Sequence, residues 1–139
     1  ADKKFWNERY EQINNFETHI YEDGTHILKV FLNLPKAEQK ERLLARLNEP
    51  EKNWKFSSAD LTARAQWDDY QKAYEEMIEK TSTEYAPWHV IPADKKFFAR
   101  VAIGEIIVEK LKSLDLRYPE GESAEDLQKA KAMLMSEKE

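Results

Sequence analysis

The stretch THILKVFLNL, from Thr25 to Leu34, constrains this chain more than any other. Its residues are β-branched, aromatic or aliphatic at nearly consecutive positions, with Asp23-Gly24 before it and Pro35 after it. A strand with one wet face alternates apolar and polar residues. A near-continuous apolar run instead suits a strand of a parallel sheet covered by helices on both faces. Ile27 to Leu34 is therefore expected in the core.

The flanking segments have helical periodicity. Trp6, Tyr10, Ile13 and Ile20 recur on one stripe with Phe16 beside it, and Asp23-Gly24 supplies the stop, because glycine accepts the left-handed conformation at a helix end. A second helix is expected from Pro35 to Pro50, with Leu43, Leu44 and Leu47 on one side and Arg42 and Arg46 projecting together from another. EKNWKF, residues 51–56, has no clean period. Ser57 and Asp60 have capping-box spacing and predict one long helix to about Thr81, striped by Ala63, Trp67, Tyr70, Tyr74, Met77 and Ile78.

A short strand is expected at Trp88 to Ile91, closed by Pro92. Asp94 then caps a helix that is apolar almost all round and so expected to be central, with Phe97, Phe98, Val101, Ile106 and Leu111 in the core. After Tyr118-Pro119 the chain turns charged and weakly periodic, which reads as a surface helix or a frayed tail over 120–139. Strands alternating with helices imply parallel pairing and an α/β fold, mostly helical here. Two strands do not complete a doubly wound sheet, so the expectation is part of a larger one.

Composition removes several function classes. The chain has 139 residues, enough for one domain, and 22 basic against 27 acidic side chains give a net charge of −5. That balance disfavours a general nucleic-acid binder. There is no cysteine, hence no disulfide framework and no thiolate zinc site. His19, His26 and His89 lack metal-helix spacing, so no metal ligand is expected among them. No run approaches the roughly 20 apolar residues of a membrane span, and no signal-peptide pattern opens the sequence at Ala1. A soluble cytoplasmic protein is expected. Gly24, Gly104 and Gly121 are too far apart to build a glycine-rich phosphate loop.

One segment carries chemistry. Lys36, Lys40, Arg42, Arg46, Lys52, Lys55 and Arg64 crowd cations around helix and loop. Arginine meets phosphate with a bidentate fork and lysine with a point charge. Composition alone favours a solvated helix face neutralised by Glu38, Glu41, Glu49 and Glu51.

Three stretches tilt that balance: RYEQINNFE, then EQKERLLARLNEPEKNWKFSSADLTARAQWDDYQKAYEEM, then TSTEYAPWHVIPADKKFFARV. Together they resemble the C-terminal half of family-2 polyphosphate kinases, from about Trp6 to Pro119, in order and at matching spacing. The family is similar in fold to thymidylate kinases, with a P-loop α/β core and a helical lid. The resemblance implies phosphoryl transfer between inorganic polyphosphate and ADP, ATP or a related nucleotide, with Mg²⁺. It implies a kinase-domain part over 1–119 and a lid over about 36–66. In these kinases the phosphate loop and a second acidic motif lie upstream of RYEQINNFE, so this chain alone is expected to be inactive.

The resemblance makes Arg42, Arg46, Lys52, Lys55 and Arg64 the phosphate-binding lid residues. IPAD lies beyond the carboxyl end of a strand, where open α/β sheets bind ligands; Pro92 and Asp94 are then the nucleotide-side wall. Trp54 and Phe56 either anchor the lid loop on the body or stack on a base, anchoring being favoured. Asp68 and Asp69 point about 100° apart on a helix and cannot chelate one ion unaided; capping or an ion pair to a lid cation suits them better. No catalytic residue and no metal ligand is assigned in this chain. The alternative is a non-catalytic polyanion-binding or protein-interaction module. An apolar strand without its neighbour leaves an edge that pairs with something, so homo-oligomerisation or association with the half carrying the phosphate loop is expected.

Overall fold

The computed structural model describes residues 2–137. Asp2 opens helix α1, Lys3–Glu22, its side chain accepting the Phe5 N–H at 2.8 Å, and Gly24 beyond the helix end has a φ of +88°. Strand β1, Lys29–Asn33, leads through Leu34-Pro35 into α2, Lys36–Asn48. A 3₁₀ turn, Pro50–Lys55, follows, with Pro50 at its first position. Next come α3, Ala59–Ala65, and α4, Trp67–Thr81. Strand β2, Trp88–Pro92, precedes α5, Lys96–Ser113, and α6, Ala124–Ser136. Residues up to Ile107 form one compact unit and those from Val108 onward another.

The strands pair parallel, in a register that places Lys29 opposite Trp88 and Asn33 opposite Pro92. A mostly helical α/β structure around a small parallel sheet is thus what the alternation of elements required. Among the described residues no helix is long and apolar enough to cross a membrane.

Four expectations are corrected. The strand does not run from Thr25 to Leu34, nor is it buried on both faces: residues 25–28 are irregular, Leu32 is 52% exposed, and Val30 and Phe31 are half-buried. The sheet has two strands, so one edge of β1 has no neighbour among the described residues. The helix from Ser57 to Thr81 is broken at Gln66, whose ψ of +24° tightens the chain into an Ala63 O to Gln66 N–H bond of 3.1 Å. Asp68 and Asp69 then occupy the first turn of α4, where negative charge favours a helix start. Ser57 gives only part of a capping box: its Oγ accepts from Ala59 N–H rather than from Asp60 N–H.

The third correction concerns α5, which is not central. Ala99 is buried and Ile106 half-buried, but Phe97 is 81% exposed, and Phe98, Val101 and Leu111 are exposed as well. Its apolar circumference needs cover that a two-stranded sheet does not supply. The helix opens at Lys96, directly after Lys95, so Asp94 does not occupy the cap position. Fourth, Trp54 anchors nothing: it is 79% exposed with the Lys55 ammonium over its ring, while Phe56 is half-buried.

A polar cluster braces the amino end of the sheet. Lys29, the buried first residue of β1, lies 2.6 Å from Glu17 of α1 and donates to the Thr81 carbonyl. Thr81 is wholly buried; its hydroxyl donates to Met77 and accepts from Trp88 Nε1 at 2.8 Å. Thr18 and Tyr85 hydroxyls meet at 2.7 Å beside them. These contacts tie α1, α4 and both strands together, leaving the carboxyl end of the sheet for the candidate site.

Candidate phosphate-binding lid and wall

Parallel strands send their carboxyl ends the same way, so the segments leaving β1 and β2 emerge side by side. From β1 the chain passes directly into α2; from β2 it passes through Pro92, Ala93 and Asp94 toward α5. Ala93 is pinned from both directions. Its N–H donates to the Asn33 carbonyl at 3.0 Å, and its own carbonyl accepts from Arg42 Nη2 at 2.7 Å. Arg42 Nη2 also reaches the Asp94 carbonyl at 3.1 Å, and Nε donates to Glu38 at 2.8 Å, one helical turn earlier.

The rest of the cationic segment is cross-linked within itself. Arg46 Nη1 contacts Asp60 of α3 at 3.2 Å and the Lys55 carbonyl at 3.4 Å. Arg64 of α3 returns to α2, donating to the Lys36 carbonyl at 2.8 Å and to Gln39 Oε1 at 2.9 Å. Asn53 closes the turn by donating to the Arg46 and Leu47 carbonyls, free acceptors at the last turn of α2. Lys52 pairs with Glu49. That hydrogen bond holds the Glu49 carboxyl below the usual glutamate range, against a smaller opposing effect of burial. Lys55 lies over Trp54, and Lys36 lies 5.8 Å from the Trp67 ring.

Beside this unit is an open cleft of about 350 Å³, lined by Phe31, Asn33, Gln39, Trp67, Tyr70 and Tyr74 among others. The broken helix shapes it, since Trp67 and Tyr70 follow directly on the break. Aromatic faces with a few convergent amides suit a flat, partly polar ligand.

The structure therefore joins Arg42 to the Ala93 and Asp94 carbonyls, Arg46 to Asp60 and the Lys55 carbonyl, and Arg64 to Lys36 and Gln39, while the Lys55 ammonium lies over Trp54. Lys52 stays beside Glu49, and Pro92 ends β2 in the open. Asp68 and Asp69 are exposed, and neither forms an ion pair with a lid cation among the described residues. No group of three or more carboxylate or imidazole side chains able to hold a metal gathers among the described residues. Asn53, Gln39 and the Ala93 carbonyl were not foreseen. Glu38 carried a readable signal, four residues before Arg42; Gln39 and the Ala93 carbonyl meet partners far along the chain, Arg64 and Arg42, and carried none.

Comparison with known proteins identifies the family. The model of polyphosphate kinase 2 (PPK2) matches residues 1–119. A Leptolyngbya boryana protein described by its place in the chlN 3′ region is 52% identical over 134 residues, spanning 95% of this chain and 98% of its own. The ADP-polyphosphate phosphotransferase of Rhodopseudomonas palustris is 52% identical over 118 residues, 85% of this chain but 41% of the enzyme. The crystal structure of polyphosphate kinase 2 from Arthrobacter aurescens superposes with a TM-score of 0.87 at 47% identity, covering 96% of this chain and 48% of that one. The chain thus spans about half the length of the two named kinases. On the match over residues 1–119, the chain belongs to the polyphosphate kinase 2 family.

Proposed function

We propose that this chain supplies the lid, about residues 36–66, and the nucleotide-side wall at Pro92 and Asp94 of a polyphosphate:nucleotide phosphotransferase. The reaction moves a phosphoryl group between inorganic polyphosphate and ADP, ATP or a related nucleotide. The observation that carries the reading is the Arg42 bridge: one side chain of the cationic helix grips the turn beyond β2, at the end of the sheet where such folds bind ligands.

Phosphoryl transfer asks the protein for positioning, positive charge around phosphate oxygens and exclusion of water. Arg42, Arg46, Lys52, Lys55 and Arg64 supply the charge. Each already holds a carboxylate, a carbonyl or a ring, and a phosphate competes for those donors. The cleft beneath α3 and α4 receives the flat part of the nucleotide. Among the described residues no group of three or more carboxylate or imidazole side chains gathers, and in this reading the Mg²⁺ ligands and the phosphate loop of a thymidylate-kinase-like core lie in polypeptide other than these residues.

The exposed apolar surface supports that division. Leu43, Ala86, Ile91, Ala93 and Ala99 are the buried apolar residues among those described, a small core for this length. The open edge of β1 and the bare circumference of α5 then pair with a second copy or with the phosphate-loop half.

The test is phosphorus NMR of the chain with polyphosphate, ADP and Mg²⁺, alongside calorimetric titration with tripolyphosphate. Tripolyphosphate binding without ATP formation is the expected result. Absence of polyanion binding sinks the lid reading, and ATP formation by the chain alone sinks the division of labour.

A further inference from the structure

Arg42 spends only part of its guanidinium on the protein. Its Nε and Nη2 serve Glu38, Ala93 and Asp94. Nη1 has no acceptor among the described residues, and the side chain is 30% exposed. A guanidinium is a rigid, planar set of five N–H donors. One edge of that plane is therefore bound to the wall while another faces solvent on the cationic helix.

We propose that Arg42 is a positioning residue that couples the phosphate side of the site to its nucleotide side. This rests on the lid reading above. A phosphate oxygen taken by Nη1 tilts or holds the whole guanidinium plane, and Nη2 transmits that to the Ala93 and Asp94 carbonyls. From Ala93 the path continues through its N–H to the Asn33 carbonyl. Asn33 lines the aromatic cleft. Two hydrogen bonds thus separate an anion on α2 from the wall of the cleft. Glu38 competes with the anion for the same guanidinium. The chemistry fits a ligand with a phosphate at one end and a planar base at the other.

Lysine at this position keeps the charge but lacks the fork, so Arg42→Lys separates attraction from coupling. The experiment is a tripolyphosphate titration of the ¹⁵N-labelled chain, following the amides of Ala93, Asp94 and Lys95 in the turn and of Arg46 and Arg64 in the lid. In the native chain both groups shift with one midpoint. In Arg42→Lys the lid shifts persist and the turn shifts are lost. Turn shifts that survive in Arg42→Lys, or a native lid that responds without the turn, overturn the coupling. If neither group responds in the native chain, the phosphate reading fails and the coupling with it.

Glu38→Gln guards against a misfolded lysine variant, since it leaves the Arg42 bonds to the wall in place. It tightens tripolyphosphate binding by about twofold, the equivalent of one i,i+4 ion pair, and keeps the turn response. Loss of the turn response in Glu38→Gln, or unchanged affinity, also counts against the proposal.

Discussion

The Lys29 ammonium lies 2.6 Å from the Glu17 carboxylate, with both side chains almost wholly removed from solvent. One belongs to a strand and the other to the helix before it, so the pair clamps α1 to the amino end of the sheet. Lys29 also lies 5.5 Å from the Trp88 ring centroid. Removing one partner strands the other charge. Lys29→Met and Glu17→Gln each cost about 3–5 kcal/mol in urea unfolding. The double change Glu17→Leu with Lys29→Met recovers most of that loss, because no uncompensated charge remains. A double variant as unstable as the singles together removes the clamp argument.

Trp54 and Trp67 differ in burial. Trp54 is 79% exposed, whereas Trp67 is half-buried against the cleft. Trp54→Ala changes stability by less than about 0.5 kcal/mol. Trp67→Ala costs roughly 2 kcal/mol, a partial share of a fully buried tryptophan. Thermal unfolding of the two variants side by side checks the contrast.

Glu49 titrates below an ordinary glutamate because Lys52 donates a hydrogen bond to its charged form. A carboxyl whose folded pKa is depressed favours the folded state above the unfolded pKa and loses that preference as pH falls through the folded value. Carboxyl NMR titration finds the Glu49 midpoint low in the native chain, and Lys52→Met moves it back up. A midpoint unmoved by Lys52→Met assigns the depression to another cause.

Neutralising Arg46, Lys52, Lys55 and Arg64 together weakens tripolyphosphate binding by more than about tenfold, at roughly 1 kcal/mol or less for each exposed charge. The native affinity falls with added salt, since partly exposed charges are screened over a Debye length of about 10 Å at 0.1 M. Calorimetry at two salt concentrations reads both effects. The same quadruple variant unfolds at slightly lower denaturant, because Arg46 and Arg64 also join α2 to α3.

If the bare edge of β1 and the exposed Phe97 and Phe98 pair with a second copy, as proposed, sedimentation at rising concentration gives a mass above that of one chain. A single chain mass throughout the range rules out self-association through these surfaces.

The local elements were legible because local chemistry decides them. Asp23-Gly24 stops α1, Pro35 and Pro50 bracket α2, and the change of period from 3.6 to near-continuous apolar marks β1. The charges of Arg42, Arg46, Lys52, Lys55 and Arg64 were equally visible, as was their resemblance to a kinase lid. Other features were settled only by neighbours distant in sequence. An apolar run becomes core only if something covers it, and with two strands Leu32 and Phe97 remain in the open. Periodicity carried straight through Gln66, but the backbone turns there and opens the cleft beside Trp67. Arg42 reads as a free cation in the sequence; the tertiary structure gives one edge of it to carbonyls that lie 51 and 52 residues away. Charge is a property of the residue, whereas its partner is a property of the fold.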